Sequence, residues 1–138
     1  MGKEIVLIDT SVWVDYLKYK TSERTDHLDT LLVNGSAAIC APVKAEVISG
    51  ARSSEEYRKF VKWFNGFSDL AAPTDIWHLA AESRFQLARK GNQQQLIDLW
   101  IAHTAYAHNV PVWSLDDDFT RIAQHIPFKI YSPPKSIK

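Results

Sequence analysis

The chain has 138 residues, of which 46% are apolar, and its 16 basic and 16 acidic side chains give a formal net charge of zero. This length and composition predict one folded domain with a substantial core and argue against disorder. Neutrality alone indicates no nucleic-acid partner. If Asp9, Glu46, Asp98, Asp116 and Asp118 gathered in one metal-filled pocket, however, the rest of the surface would carry 16 basic and 11 acidic groups. Such a mildly basic rim would attract an anionic polymer, whereas an evenly mixed surface charge would not.

Cysteine usage and hydropathy bound the environment of the protein. Cys40 is the only cysteine, which excludes an internal disulfide and a cysteine-based zinc site. No apolar stretch approaches membrane-spanning length, and no secretory signal precedes the first predicted strand. We therefore expect a cytoplasmic protein with no membrane contact.

The predicted elements alternate between strand and helix along the chain. The first strand ends at Asp9, where Thr10 and Ser11 can cap a helix, and Pro42 opens the helix after the second strand. The predicted strands are residues 4–8, 37–41, 110–114 and 128–131. The predicted helices are residues 10–20, 26–34, 42–49, 55–67, 73–91, 95–109 and 117–123.

This alternation predicts an α/β fold, in which helices cover both faces of a parallel sheet. Residues 1–132 form the expected domain, and residues 133–138 form an expected flexible tail. Ligands bind beyond the carboxyl ends of the strands in such sheets. Asp9 and Asp116 each follow a predicted strand, so we expect both at that rim, with Glu46 and Asp98 on helices that lean over it.

Four acids in this arrangement favour a metal site. Hard divalent cations prefer oxygen ligands, and Mg²⁺ takes only a few carboxylates. Ala102 and Ala105 share the helix face of Asp98 at i+4 and i+7, so that helix can approach the sheet closely. The hydroxyl groups of Thr10, Ser11 and Ser114 can orient ligands at the strand ends.

The segments around the acids carry a family resemblance. In chain order they read IDTSVW from residue 8, EVISG from residue 46, DLWIAHTA from residue 98 and SLDDDF from residue 114. Together they resemble the PIN-domain ribonucleases, and most closely the VapC-type toxins of bacterial type II toxin–antitoxin pairs, over nearly the whole chain. The resemblance implies a PIN-like three-layer α/β/α domain with a central parallel sheet of about four to five strands.

The resemblance also implies a function and a set of site residues. It implies an endoribonuclease that needs Mg²⁺ or Mn²⁺, acts on structured RNA such as tRNA, forms a homodimer and is inhibited by a cognate antitoxin. The implied catalytic residues are Asp9, Glu46, Asp98 and Asp116. The implied metal ligands are Asp9, Asp98, Asp116 and Asp118.

The chain departs from the family pattern at three positions. His103 replaces a small residue, Ser114 stands where Thr is common, and Asp117 adds a negative charge between two site acids. His103 lies five residues after Asp98, and we interpret it as a packing or rim residue because a metal-activated water needs no separate base. Taken singly, each acid is also consistent with a helix cap or a solvated surface charge.

The predicted helix of residues 55–67 is apolar over much of its circumference. Tyr57, Phe60, Val61 and Phe64 form one stripe, which Trp63 and Phe67 extend. Such a helix is either buried on two sides within the chain or docks a partner. We hypothesise that an antitoxin covers this helix and reaches the acids with a basic side chain. The basic residues Arg52, Arg58, Lys59 and Lys62 either flank an RNA path or form a solvated face.

Other functions find less support in the sequence. Five dispersed glycines build neither a phosphate-binding loop nor a dinucleotide fingerprint. A haloacid-dehalogenase-like phosphatase needs a second aspartate two residues after Asp9, and that residue is Ser11. The remaining alternatives are a PIN-like housekeeping ribonuclease and a non-catalytic module that binds RNA or protein.

Overall fold

The computed structural model describes residues 4–18 and 21–134 and shows the predicted α/β architecture, with a four-stranded parallel sheet. The strands are β1 (Val6–Ile8), β2 (Ala37–Ile39), β3 (Ser68–Asp69) and β4 (Val112–Trp113). The helices are α1 (Thr10–Lys18), α2 (Glu23–Val33), α3 (Ala41–Ser49), α4 (Ser54–Phe64), α5 (Ile76–Arg89), α6 (Leu96–His108) and α7 (Asp118–Ile122). The class and strand number predicted from the sequence are confirmed.

The strand order is β3-β2-β1-β4, so the chain runs outward from β1 to one side and later returns to its other side. The point at which the order reverses therefore lies between β1 and β4. Parallel α/β sheets bind ligands outside the carboxyl ends of the strands at such a point. Asp9 directly follows β1, and Ser114 directly follows β4, which places both residues at this crevice.

The central strand is buried on both faces. Val6, Leu7 and Ile8 have no solvent exposure, as expected for an uninterrupted apolar strand between two helical layers. Ala102 and Ala105 of α6 are also fully buried. Their small side chains fit the prediction that this face of α6 packs closely into the core. Cys40, which directly follows β2, is also buried.

Several element boundaries differ from the prediction. Helix α2 begins at Glu23, earlier than predicted, because Ser22 accepts a hydrogen bond from the backbone N–H of Thr25 and the Thr25 hydroxyl oxygen accepts one in return. This capping box was missed because its third helical residue is Thr instead of the usual Glu or Gln. Helix α4 ends at Phe64, and the chain turns there through Asn65 and Gly66.

The edges of the sheet were the weakest part of the prediction. Strand β3 was missed because both of its residues are polar and exposed, so no apolar pattern marks it. The predicted strand over residues 128–131 is reduced to a single parallel bridge between Ile130 and Val112. Residues 19–20 of the first predicted helix and residues 135–138 of the predicted tail lie outside the described ranges. None of the helices described is long and apolar enough to span a membrane.

The aromatic side chains near the end of α4 pack within the chain. Trp63 stacks on Tyr16 with ring centroids 5.9 Å apart and meets Trp13 edge-on at 5.3 Å. Phe64 and Phe67 also contact the ring of Trp13. This aromatic cluster joins α1 to α4 and covers most of the apolar surface of α4. Tyr57, which lies outside the cluster, is half exposed. The sequence had left burial and partner docking as equal alternatives for this helix.

Candidate metal centre

Asp9 is held rigidly at the carboxyl end of β1. It is only 6% exposed, and its Oδ2 accepts hydrogen bonds from the hydroxyl groups of Ser11 (2.9 Å) and Ser114 (2.8 Å) and a longer one from the Ser11 backbone N–H (3.4 Å). Its Oδ1 accepts no hydrogen bond from residues 4–18 or 21–134. One carboxylate oxygen therefore fixes the side chain, and the other stays available for a ligand.

The two serines join the loops that follow β1 and β4. The Oγ of Ser114 accepts a hydrogen bond from the backbone N–H of Asp116 (3.0 Å), and the Oγ of Ser11 accepts one from the backbone N–H of Leu115 (2.9 Å). Because both hydroxyl groups also donate to Asp9, the carboxylate and the second loop form one network. The sequence predicted that these hydroxyl groups orient ligands. In the structure they position the carboxylate of Asp9.

Three carboxylates converge opposite this network. Asp98 lies in the first turn of α6, Asp116 lies in the loop after β4, and Asp118 begins α7. One oxygen from each lies within 4.8 Å of the others. The backbone N–H of Asp118 donates to Asp116 Oδ1 (3.0 Å), which sets the spacing of these two acids. Asp9 and Glu46 lie outside this three-carboxylate group.

Glu46 approaches the site from α3. It is exposed, and its Oε1 accepts a hydrogen bond of 2.8 Å from the hydroxyl group of Thr10. Since Thr10 is the neighbour of Asp9 in the chain, this bond brings the fourth predicted acid to the rim of the crevice. Its charge reaches Asp98, whose pKa it raises slightly.

The surroundings of Asp98 disfavour its ionised form. Burial raises its pKa to about 7, and the charges of Asp9, Asp116, Asp118 and Glu46 add to the increase in that order. Its carboxylate makes no hydrogen bond or ion pair with the described part of the chain. A half-buried carboxylate with no donor near it is unfavourable when ionised.

A divalent cation fits this donor set. Two unit charges about 5 Å apart repel by roughly 3 kcal/mol at an effective dielectric constant of about 20, so three carboxylates at this spacing favour a cation between them. All the donors are carboxylate oxygens, which Mg²⁺ and Mn²⁺ prefer. Sulfur and imidazole are absent from the described metal-ligating group.

Arg121 belongs to the site, although the sequence did not single it out. Its guanidinium group forms an ion pair with Asp118 across one turn of α7. The i,i+3 spacing of opposite charges was the available signal. His103, in contrast, hydrogen-bonds through Nε2 to Ser83 on α5 (2.8 Å), and burial lowers its pKa. It is a packing residue and lies outside the acidic group.

The raised pKa of Asp98 leads to a prediction about stability. Because this pKa lies above the ordinary value near 3.8, the folded state binds more protons than the unfolded state between about pH 4 and 7. Without metal, the free energy of unfolding should fall as pH rises through that window and stay low above it. In EDTA near pH 7.5, Asp98→Asn should melt several degrees above the wild type, at roughly 3–6 °C per kcal/mol.

Metal should change this order, because an ion that binds only the assembled site stabilises the folded state. With saturating Mn²⁺ the wild type should gain melting temperature, and the advantage of Asp98→Asn should shrink or reverse. Asp26→Asn, at an exposed position on α2, serves as the control and should respond to Mn²⁺ as the wild type does. If Asp98→Asn were no more stable in EDTA and Mn²⁺ shifted neither protein, the acids would not form one pocket.

Comparison with known proteins agrees with this geometry. The family model for the PIN domain matches residues 6–124. VapC ribonuclease Mb1587 of Mycobacterium bovis and Ribonuclease VapC11 of Mycobacterium tuberculosis are each 30% identical to the chain over 124 residues, which cover 87% of this chain and 92% of each relative. Ribonuclease VapC21 of Mycobacterium tuberculosis is 32% identical over 99 residues, which cover 70% of this chain and 72% of that relative.

Solved structures show the same fold. VapBC2 from Rickettsia felis, bound to a DNA fragment from its promoter, aligns with a TM-score of 0.68 at 24% identity and covers 91% of this chain and 96% of that chain. DNA-bound VapBC from Salmonella typhimurium aligns with a TM-score of 0.69 at 23% identity and covers 94% and 98%. The protein therefore belongs to the PIN-domain family, as a ribonuclease of the VapC type.

Proposed function

We propose that the protein is a cytoplasmic endoribonuclease that requires Mg²⁺ or Mn²⁺ and acts as the toxin of a toxin–antitoxin pair. One observation carries the proposal: Asp98 is half-buried without a donor, faces a group of carboxylates, and lies at the crevice where this fold binds ligands. The ionised form of an acid in that position is stabilised by a bound cation. The names of the VapC relatives support ribonuclease chemistry at such a site.

Each acid has a proposed role. Asp98, Asp116 and Asp118 would hold the ion, and Asp9 would contribute the oxygen that no described residue occupies. Such an ion would polarise the phosphodiester and supply an activated water for hydrolysis. Glu46 would act from the opposite side of the crevice, where its bond to Thr10 orients it. Ser11 and Ser114 position Asp9 and have no direct part in the chemistry.

RNA is the proposed substrate, and structured RNA such as tRNA follows from the family resemblance. Structured RNAs are recognised mainly through their shape and through exposed single-stranded loops. Once the acids hold an ion, the remaining surface carries an excess of basic groups, which favours contact with a phosphate backbone. A non-catalytic module would gain nothing from these repelling carboxylates. A housekeeping ribonuclease would differ from a toxin in that its expression alone would not arrest growth.

Asp9→Asn should lower the rate of RNA cleavage by at least about 100-fold, because it removes a negative charge at the crevice and alters the packing little. The measurement is cleavage of total RNA with Mg²⁺, with an EDTA reaction as the metal-free comparison. Asp26→Asn makes the same chemical change on the exposed face of α2 and should keep wild-type activity. Wild-type activity in purified Asp9→Asn would refute the catalytic assignment.

An antitoxin is the proposed protein partner, and a groove beside the acidic site is its proposed binding site. The similar solved structures include VapBC toxin–antitoxin complexes. A cavity of about 270 Å³ lies between α1, α3 and α4. Its apolar lining residues are Val14, Leu17, Val47 and Phe60, and the rest of its lining is Lys18, Glu46, Gly50, Arg52 and Glu56. Val14 and Leu17 are 51% and 42% exposed, so α1 presents two neighbouring apolar side chains to solvent at this groove.

The groove leads toward the acids. Glu46 lines it and also bonds to Thr10 beside Asp9. A partner that filled the groove with apolar side chains could therefore extend a basic side chain to the carboxylates. This retains the hypothesis that an antitoxin covers α4, but it moves the contact from the aromatic cluster to the exposed face shared with α1. The homodimer implied by the family resemblance is proposed on that resemblance alone.

Leu17→Ala should weaken binding of the cognate antitoxin by about 1–2 kcal/mol, because it removes an exposed apolar contact. Val33→Ala is the matched control, since Val33 is 86% exposed on α2, outside the groove. Isothermal titration calorimetry measures both affinities. Equal antitoxin affinities for Leu17→Ala and wild type would exclude this groove.

Trp63→Ala should instead lower the free energy of unfolding by about 2–3 kcal/mol, measured by urea denaturation, because Trp63 packs in the aromatic cluster.

A further inference from the structure

A second concavity lies beside the three-carboxylate group, and its polar lining is basic instead of acidic. It has a volume of about 260 Å³ and combines basic and amide side chains over an apolar base. Its lining residues are Leu87, Lys90, Asn92, Arg121, Gln124 and His125. No carboxylate of the described residues lines it. In a chain of zero net charge, a cavity that lacks acids and contains several donors indicates an anionic ligand.

Three elements build this basic cavity. Lys90 caps the C-terminus of α5, Arg121 lies in the last turn of α7, and Gln124 and His125 follow that helix directly. Leu87 is buried, at 3% exposure, and forms the base. The backbone positions of the donors are therefore set by the ends of α5 and α7.

Most of these donors have no hydrogen-bond or ion-pair partner among the described residues. The side chains of Lys90, Gln124 and His125 make no hydrogen bond or ion pair in residues 4–18 and 21–134. Asn92 Oδ1 accepts a hydrogen bond from Gln94 Nε2 (2.6 Å), so its amide N–H groups are the part left to donate. An ammonium group, a guanidinium group and amide N–H groups are the donors that proteins direct at phosphate oxygens.

Arg121 connects the basic cavity to the acids. Its guanidinium group forms the ion pair with Asp118, and Asp118 lies within 4.8 Å of Asp98 and Asp116. The cavity thus begins where the carboxylate group ends. An RNA strand carries a phosphate at every nucleotide, so a strand with one phosphate at the carboxylates has others within reach of the neighbouring cavity.

We propose that the cavity of Lys90, Asn92, Arg121, Gln124 and His125 binds a backbone phosphate of the RNA next to the one that is cleaved. This inference rests on the proposed ribonuclease function and adds a substrate-positioning site to it. The contact is to phosphate and carries no base specificity. Its role is to hold the strand against the crevice while the phosphate that is cleaved lies at the carboxylate group.

Lys90→Gln tests the proposal, because it removes one cationic donor that contacts neither the acids nor the aromatic cluster. Binding is measured by fluorescence anisotropy with a short fluorescein-labelled single-stranded RNA, in the Asp9→Asn background and over a series of salt concentrations. The slope of log K against log salt should become shallower by about 0.7, and affinity near 0.1 M salt should fall about fivefold. In the otherwise wild-type chain, KM for RNA should rise while kcat stays unchanged.

Lys129→Gln is the matched control, since it removes the same charge from an exposed position that lines neither the basic cavity nor the groove and should change slope and KM less. The melting-temperature gain with Mn²⁺ should be the same in Lys90→Gln as in the wild type, because the metal ligands are intact. An unchanged slope for Lys90→Gln, or an equal effect from both substitutions, overturns this site while RNA cleavage by the wild type still stands. If the wild type neither binds nor cleaves RNA, the proposed function fails together with it.

Discussion

The mutual repulsion of carboxylates at the carboxyl ends of β1 and β4 is the constraint on which the rest of the structure depends. Asp15 shows how this chain treats a buried acid when no ligand is intended: it is paired with Arg24 through two hydrogen bonds of 3.1 and 3.0 Å. Asp98 receives no such partner, and burial, with the neighbouring acids adding to it, raises its pKa to about 7. A fold selected for stability alone would place a basic side chain there. Above about pH 7, where Asp98 is ionised, a bound cation offsets the cost of its charge, so the site links metal binding to stability.

Hydrogen bonds from the scaffold fix two acids of this unfavourable group, Asp9 and Asp116. Hydroxyl groups of Ser11 and Ser114 lock Asp9, and the backbone N–H of Asp118 locks Asp116. The aromatic cluster around Trp13 fastens α1, which begins beside Asp9, to α4. All of these contacts are made by groups of the protein itself. They hold the carboxylates of Asp9 and Asp116 in defined positions.

The sequence predicted the parts of the molecule that depend on local patterns. Runs such as residues 6–8 predicted the buried strands, and acids directly after two of them predicted the crevice. Edge strand β3 and the capping box at Ser22 escaped, because two exposed polar residues and a threonine at the third helical position carry no such pattern. The positions of the candidate site residues along the chain could be predicted, but their distances could not. That Asp9 lies outside the 4.8 Å group of Asp98, Asp116 and Asp118 depends on loop geometry that only tertiary contacts determine. Whether an apolar helix buries its stripe internally, as α4 does around Trp63, likewise depends on the partner that folding brings to it.

Proton release on metal binding tests the central claim most directly. With a pKa of about 7, the Asp98 carboxyl is about half protonated near pH 7, and a cation must displace that proton to bind it. Calorimetric titration with Mn²⁺ near pH 7, in two buffers that differ in ionisation enthalpy, measures the number of protons released. The account predicts release of about half a proton per site, which disappears in Asp98→Asn. Mn²⁺ binding without proton release, or with the same release in Asp98→Asn, would contradict it.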